Sequence, residues 1–212
     1  MNIDEKIIEE NKILIEKYPF LLPRNRWSGE VPDDYDYSYT ELDAMPIGWK
    51  KAFGELICED LKNELIKSNL LNEYRILEIK EKYGTLRWDD NGHTKEIRDI
   101  FIKYEYLSQF VCIFCGKFGV STFDDGWVSP YCDKCFIDMR YRRDVIFKRE
   151  LGEKIEDKPF NETELELLRR FRLEDEEFNP IIKIESIGKN GCSWRELDLT
   201  DILERMNVNC LK

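Results

Sequence analysis

The chain has 212 residues, 42% of them hydrophobic and 13% aromatic, with a formal net charge of −11. This is enough apolar material for a sizeable core without help from metal, and it excludes a disordered chain. The acidic balance argues against broad phosphate-backbone contact, which needs clustered Lys and Arg, and no apolar run reaches the ~20 residues of a membrane span.

The N-terminal stretch MNIDEKIIEENK lacks the basic start and small-residue cleavage site of a secretory signal, so the expected location is cytoplasmic. Ile3, Ile7, Ile8, Leu14 and Ile15 recur mostly at helical spacing, which predicts a helix over 3–17 that Pro19 and Pro23 end. An irregular stretch follows, interrupted by Pro32 and Pro46. Between Glu30 and Asp43 it holds six acids, no base, and the alternating Tyr35, Tyr37 and Tyr39. An aromatic-pinned loop over the core is one reading of this segment. The other is an acidic, tyrosine-rich contact surface for a protein partner, because tyrosine is enriched where proteins meet.

From Trp49 to Leu71 the sequence predicts a helix with an apolar face of Phe53, Leu56, Ile57, Leu61, Leu65 and Ile66. Then YRILEIKEKYGTLRW changes to a period of two, with Leu77, Ile79 and Tyr83 on one face and Glu78, Lys80 and Lys82 on the other. Gly84 marks a turn between two strands, and DDNG at 89–92 marks another. A helix from Thr94 to Gln109 should bury Ile97, Ile100, Phe101 and Tyr104. Further on, helices are predicted at Phe136 to Glu150 and over 162–172, a strand over 181–187 with a GKNG turn after it, and a short helix from Thr200.

The strongest signal is CIFCGKFGVSTFDDGWVSPYCDKC, with Cys-x-x-Cys pairs at Cys112/Cys115 and Cys132/Cys135. Each pair can offer two thiolates from one tight turn, and two such turns complete a tetrahedral all-cysteine site of structural zinc spacing. Asp124-Asp125-Gly126 between VSTF and WVSPY is a hairpin signal, and the second pair should open a helix. The expectation is one structural Zn2+ per chain on Cys112, Cys115, Cys132 and Cys135, with no catalytic residue in the site. Knuckle, hairpin and helix in this order resemble the treble-clef zinc finger. Iron in a rubredoxin-like site ranks below zinc because Phe136, not glycine, follows Cys135. Cys58, Cys192 and Cys210 read as inert thiols.

Enzyme readings find less support. HNH-type chemistry needs a histidine in or just after the finger, and the single His93 precedes it. The deaminase pattern His-x-Glu with Pro-Cys-x-x-Cys is missed by one residue in both halves, at His93-Thr94-Lys95-Glu96 and at Pro130-Tyr131-Cys132. Glu78-Ile79-Lys80 matches the Glu-x-Lys element of restriction-type nucleases, where a carboxylate holds Mg2+ and the lysine steadies the attacking water. Its partner acid is unspecified among Asp33, Asp60, Asp89 and Asp90. A helix carrying Lys134, Arg140, Arg142, Arg143, Lys148 and Arg149 could dock nucleic acid, with Arg142 and Arg149 on one face, or balance an acidic protein. The five tryptophans read as core or seam residues.

ILEIKEKYGTLRW at 76–88, SQFVCIFCGKFG and GWVSPYCDKC together resemble a group of uncharacterised phage and bacterial proteins. Those carry an Ile-Lys-Glu-Lys-aromatic-Gly strand turn ahead of the same cysteine pairs. The resemblance spans about residues 76–135 and implies a small accessory protein of mobile elements, without assigning an activity.

The expected fold is α+β, with mixed helices and short strands around an embedded treble-clef-like four-cysteine finger. It divides into an N-terminal α+β region (1–110), the finger (111–150) and an acidic C-terminal α+β region (151–212) packed on the rest. The expected function is non-catalytic binding of a macromolecule, chiefly protein through residues 30–43, with weak or no nucleic-acid binding and no membrane contact. The alternatives are a metal-dependent nuclease using Glu78 and Lys80, and a nucleic-acid-binding zinc-finger protein.

Overall fold

The computed structural model describes residues 3–92, 94–124, 126–142, 159–172, 177–188 and 191–206. Helix α1 (Ile3–Lys17) forms where its periodicity places it, and Pro19 closes it into a 3-10 turn. Only its C-terminal part reaches the core. Leu14 and Ile15 pack there, whereas Ile7 is exposed. Tyr18, Phe20 and Leu21, just beyond the helix, are buried.

The second helical region is not uniform. Helix α2 (Ile47–Trp49) widens into a π-helical turn (Lys50–Gly54) before α3 (Glu55–Lys67). Phe53, Ile57, Leu61 and Leu65 form its buried stripe. Ile66, expected in that stripe, is exposed because it stands about 100° around the helix from Leu65.

Strands β1 (Ile76–Lys82) and β2 (Thr85–Asp90) pair antiparallel around the two-residue turn Tyr83-Gly84. Both turn residues have positive φ, 54° and 79°, as a type I′ turn requires. Tyr83, expected on the buried face, therefore projects from the turn and is largely exposed. A register shift between Ile76 and Glu78 brings Ile76 and Ile79 both inward, so that Leu77 is only half-buried. Helix α4 (Lys95–Ser108) is capped by Thr94, whose hydroxyl accepts from Ile97 N at 3.3 Å, and buries Ile97, Tyr104 and Leu107.

Strands β3 (Val120–Asp124) and β4 (Trp127–Tyr131) form a second hairpin, with Gly126 at φ 86° in its turn. Helix α5 (Asp133–Tyr141) follows at once. The helix expected to run to Glu150 is seen as far as Tyr141; Arg143, Lys148 and Arg149 lie outside the described residues, as do His93, Asp125 and Cys210. Helix α6 (Glu162–Phe171) starts at a capping box of Asn161 and Glu164. A third hairpin joins β5 (Ile181–Gly188) to β6 (Gly191–Asp198), and α7 (Thr200–Arg205) ends the described chain. The tip residues of the GKNG turn, 189 and 190, are outside the described residues.

Mixed helices and antiparallel strand pairs, each sheet a local hairpin, make this an α+β fold. One cluster joins Tyr18, Trp49, Ile57, Ile79, Trp88 and Tyr104 with Leu199 and Ile202, so the last helix returns to the main core. Arg205 locks it there, donating to Asp60 Oδ1 at 2.5 Å, while Tyr104 Oη donates to Asp60 Oδ2 at 2.7 Å. A smaller cluster of Phe136, Ile137 and Leu168 joins α5 to α6. Trp49 and Trp88 are core residues as expected, but Trp27, Trp127 and Trp194 are exposed. Trp27 sits on a loop, Trp127 at a hairpin tip and Trp194 on an outward strand face.

Candidate metal centre

The segment Phe110–Gly119 folds back on itself. Val111 bridges Phe118, Cys112 N donates to Lys117 O at 2.8 Å, and Gly119 N donates to Phe110 O at 2.9 Å. Gly116 makes the reversal at φ 79°, a conformation that suits glycine. Gly119 has a different task. A Cβ there would lie 2.9 Å from the Tyr131 carbonyl carbon and 3.1 Å from Cys132 N, so its missing side chain lets the two cysteine segments close on each other. Ile113 N donates to Pro130 O at 3.1 Å and fixes the first turn to β4. Cys132 caps α5, its sulfur accepting from Cys135 N at 3.4 Å.

These constraints bring all four sulfurs of Cys112, Cys115, Cys132 and Cys135 within 4.8 Å of one another, with Cys115 and Cys132 at 3.6 Å. A tetrahedral ion with metal–sulfur bonds of about 2.3 Å sets its sulfurs about 3.8 Å apart, so the cluster has the right size. The four are free thiols, Cys112 and Cys135 buried and the other two half-buried. Among the described residues no other group of three or more His, Cys, Asp or Glu could hold an ion.

The thiols perturb each other strongly. Hydrogen bonding, from Cys112 first, holds the Cys115 thiol far below its ordinary range. Cys112 falls to about 7: its bond with Cys115 opposes this, and bonds with Cys132 and Cys135 outweigh that opposition. Cys132 and Cys135 are pushed well up, by their bonds to Cys112 first and Cys115 next. Crowded thiolates of this kind are stabilised by a bound cation, which deprotonates its coordinating thiols.

The cluster is anchored to the main core through α2. Trp49 Nε1 donates to the buried Val111 O at 2.7 Å, and Gly48 N donates to Ile113 O at 2.8 Å. A Cβ at Gly48 would meet Cys112 O at 2.1 Å, and one at Gly116 would meet Gly48 O at 2.7 Å. The two backbones touch, and the π-helical turn begins immediately after this contact.

Other sequence candidates are differently placed. Arg142, weighed for nucleic acid, forms a two-pronged ion pair with Glu164, at 2.8 and 2.7 Å, across the α5–α6 contact. Glu78 pairs with Lys80, which holds its carboxyl below the usual range. Of its possible partner acids, Asp60 is taken up by Tyr104 and Arg205, Asp33 lies in the 30–43 loop, and Asp90 stands across from Ile76. Asp89 is opposite Glu78 in the ladder, and Arg87 opposite Lys80. Cys58 is fully buried, and burial pushes its thiol above the usual range.

In the 30–43 segment the tyrosines turn onto one another. The Tyr35 ring lies 4.9 Å from that of Tyr37 and 5.4 Å from that of Tyr39. Asn11 Nδ2 donates to Tyr37 O at 2.8 Å, and a Thr40–Asp43 capping box ends the loop. Asp33, Asp34 and Asp36 remain exposed. No described helix is long and apolar enough to cross a membrane. Comparisons with protein-family models, curated proteins and solved structures returned no match.

Proposed function

We propose that Cys112, Cys115, Cys132 and Cys135 hold one structural zinc ion in a treble-clef-like finger, and that the chain is a non-catalytic binder of other proteins. The observation that carries this is the closed cluster of four sulfurs within 4.8 Å. Four thiolates fill a tetrahedral ion and leave no position for water or substrate. Zinc suits such a set better than magnesium or calcium, which prefer oxygen. The knuckle, hairpin and capped helix act as one unit seated on the α+β core, and the resemblance carried by residues 76–135 fits an accessory role in mobile elements.

The Glu30–Asp43 segment is the proposed contact for a basic partner. Its tyrosines are already packed on each other, so little freedom is lost on binding, and its exposed acids steer encounter in a salt-dependent way. Replacing Tyr35, Tyr37 and Tyr39 together with serine is expected to weaken retention of basic peptides on the immobilised protein while zinc content is unchanged. Equal retention by the variant removes this surface from the proposal.

A second reading rests on Asp89 standing across from Glu78, which brings another carboxylate to the Glu-x-Lys strand. It requires Mg2+-dependent cleavage of DNA or RNA that disappears in Lys80→Ala. The non-catalytic reading expects no such cleavage.

A further inference from the structure

The β3–β4 hairpin, the start of α5 and the end of α6 enclose an open groove of about 620 Å3 against the cysteine cluster, with Cys132 in its wall. Among the described residues that line it, Lys117, Lys134 and Arg172 stand with one carboxylate, that of Asp133. Phe118, Tyr131 and Phe160 provide its apolar surface. We propose that this groove binds a short acidic segment of a partner protein, with an aromatic or aliphatic residue at its centre. The inference extends the protein-binding reading to a second surface, opposite in charge to the 30–43 segment and independent of it.

Charge complementarity selects the occupant. The chain as a whole carries −11, yet among the described residues lining this groove three cations meet one acid. A nucleic-acid strand would leave so small a cationic zone and run onto acidic surface, whereas a short peptide can place all its carboxylates inside it. The volume lies within the roughly 300–1,000 Å3 typical of ligand sites and accepts a few side chains. Phe118 is 37% exposed, and Tyr131, half-buried, is stacked on Phe114 at 5.7 Å, so an apolar residue finds a fixed ring surface. The walls are preorganised by the cysteine turns and by the bridge between Thr122 and Arg172.

Arg172 already shows the interaction the ligand would make. It pairs with Asp133, and both side chains are about two-fifths exposed, at 37% and 42%. An incoming carboxylate can take the place of Asp133 on the guanidinium. Asp133 is thus a competitor, and removing its charge should improve binding.

The test uses the full chain, purified with its metal, and fluorescence polarisation of a labelled peptide with three carboxylates around an aromatic residue, acetyl-Ser-Glu-Asp-Phe-Glu-Ser-amide. Saturable binding is expected, weakened about tenfold by Lys117→Glu, strengthened by Asp133→Asn, and lost when the peptide phenylalanine becomes serine. The Tyr35, Tyr37 and Tyr39 serine variant should bind this peptide normally, so failure of the two surfaces can be told apart. Metal content measured on every sample separates loss of the groove from loss of the finger. No binding by metal-replete protein, equal binding by Lys117→Glu, or tighter binding of a short single-stranded DNA overturns the proposal.

Discussion

Glu164 does two jobs with one carboxylate. Its oxygens accept from the Arg142 guanidinium, and one also accepts from Asn161 N at 3.0 Å, closing the capping box of α6. The Arg142 bonds hold its carboxyl below the usual carboxylate range. A carboxyl depressed in the folded state contributes stability at pH values above its unfolded pKa of about 4.3, and that contribution is lost as pH falls through the folded value. Glu164→Gln cannot form the charged pair, so it should melt lower than the parent at neutral pH. The gap between the two should narrow as pH falls below about 4.3, which thermal melts across the acid range can follow. A gap independent of pH would mean that the ion pair does not stabilise the α5–α6 contact. None of this pairing was legible in the sequence, where Arg142 is one of several basic residues after Cys135 and its partner lies beyond the finger. The cysteine cluster was legible, because its ligands declare themselves by local spacing.

Elements formed by local rules were readable, and their departures have local causes. The bounds of α1, α4 and α6 follow from periodicity and caps, and the first two hairpins turn where Gly84 and Gly126 stand. Strand β6 escaped notice because GCSWRELD lacks a clean alternation. The β1 register shift and the π-helical turn escaped too, since both depend on what packs against them. The contact between α2 and the first cysteine turn is such a case, and it can be tested. Trp49→Phe leaves the buried Val111 carbonyl without its donor and should cost about 1–3 kcal/mol in chemical denaturation. Gly48→Ala drives a methyl into Cys112 O and should cost a comparable amount or more, about 1–3 kcal/mol, with a backbone shift as the alternative to unfolding. Either variant behaving as the parent would show that the finger and the core are not mechanically joined here.

At the scale of the molecule, the proposed zinc site gives the α+β core and the cysteine segment separate sources of stability. The main cluster buries Trp49, Phe53, Ile57, Leu61, Trp88 and Tyr104 without any contribution from metal. Among the described residues the cysteine segment shares a small cluster of Phe136 and Ile137 with Leu168 of α6, and structural zinc is worth on the order of 10 kcal/mol in isolated fingers. Chelation should therefore raise amide exchange in residues 110–142 well before it does so in α3 and α4. Uniform loss of protection across the chain would place the metal in the global fold instead. The exposed acids of the 30–43 segment and the basic groove by Cys132 lie on parts that chelation should affect unequally, which makes metal state a handle on each surface.

The most direct measurement is metal content per chain by elemental analysis, made on the parent protein and on Cys132→Ser purified side by side from zinc- and iron-containing medium. The expected result is about one zinc per parent chain, and a large loss of it in the variant, because one missing thiolate opens the tetrahedron. Iron in the parent, no metal in it, or full zinc retention by Cys132→Ser would contradict a structural zinc ion held by Cys112, Cys115, Cys132 and Cys135.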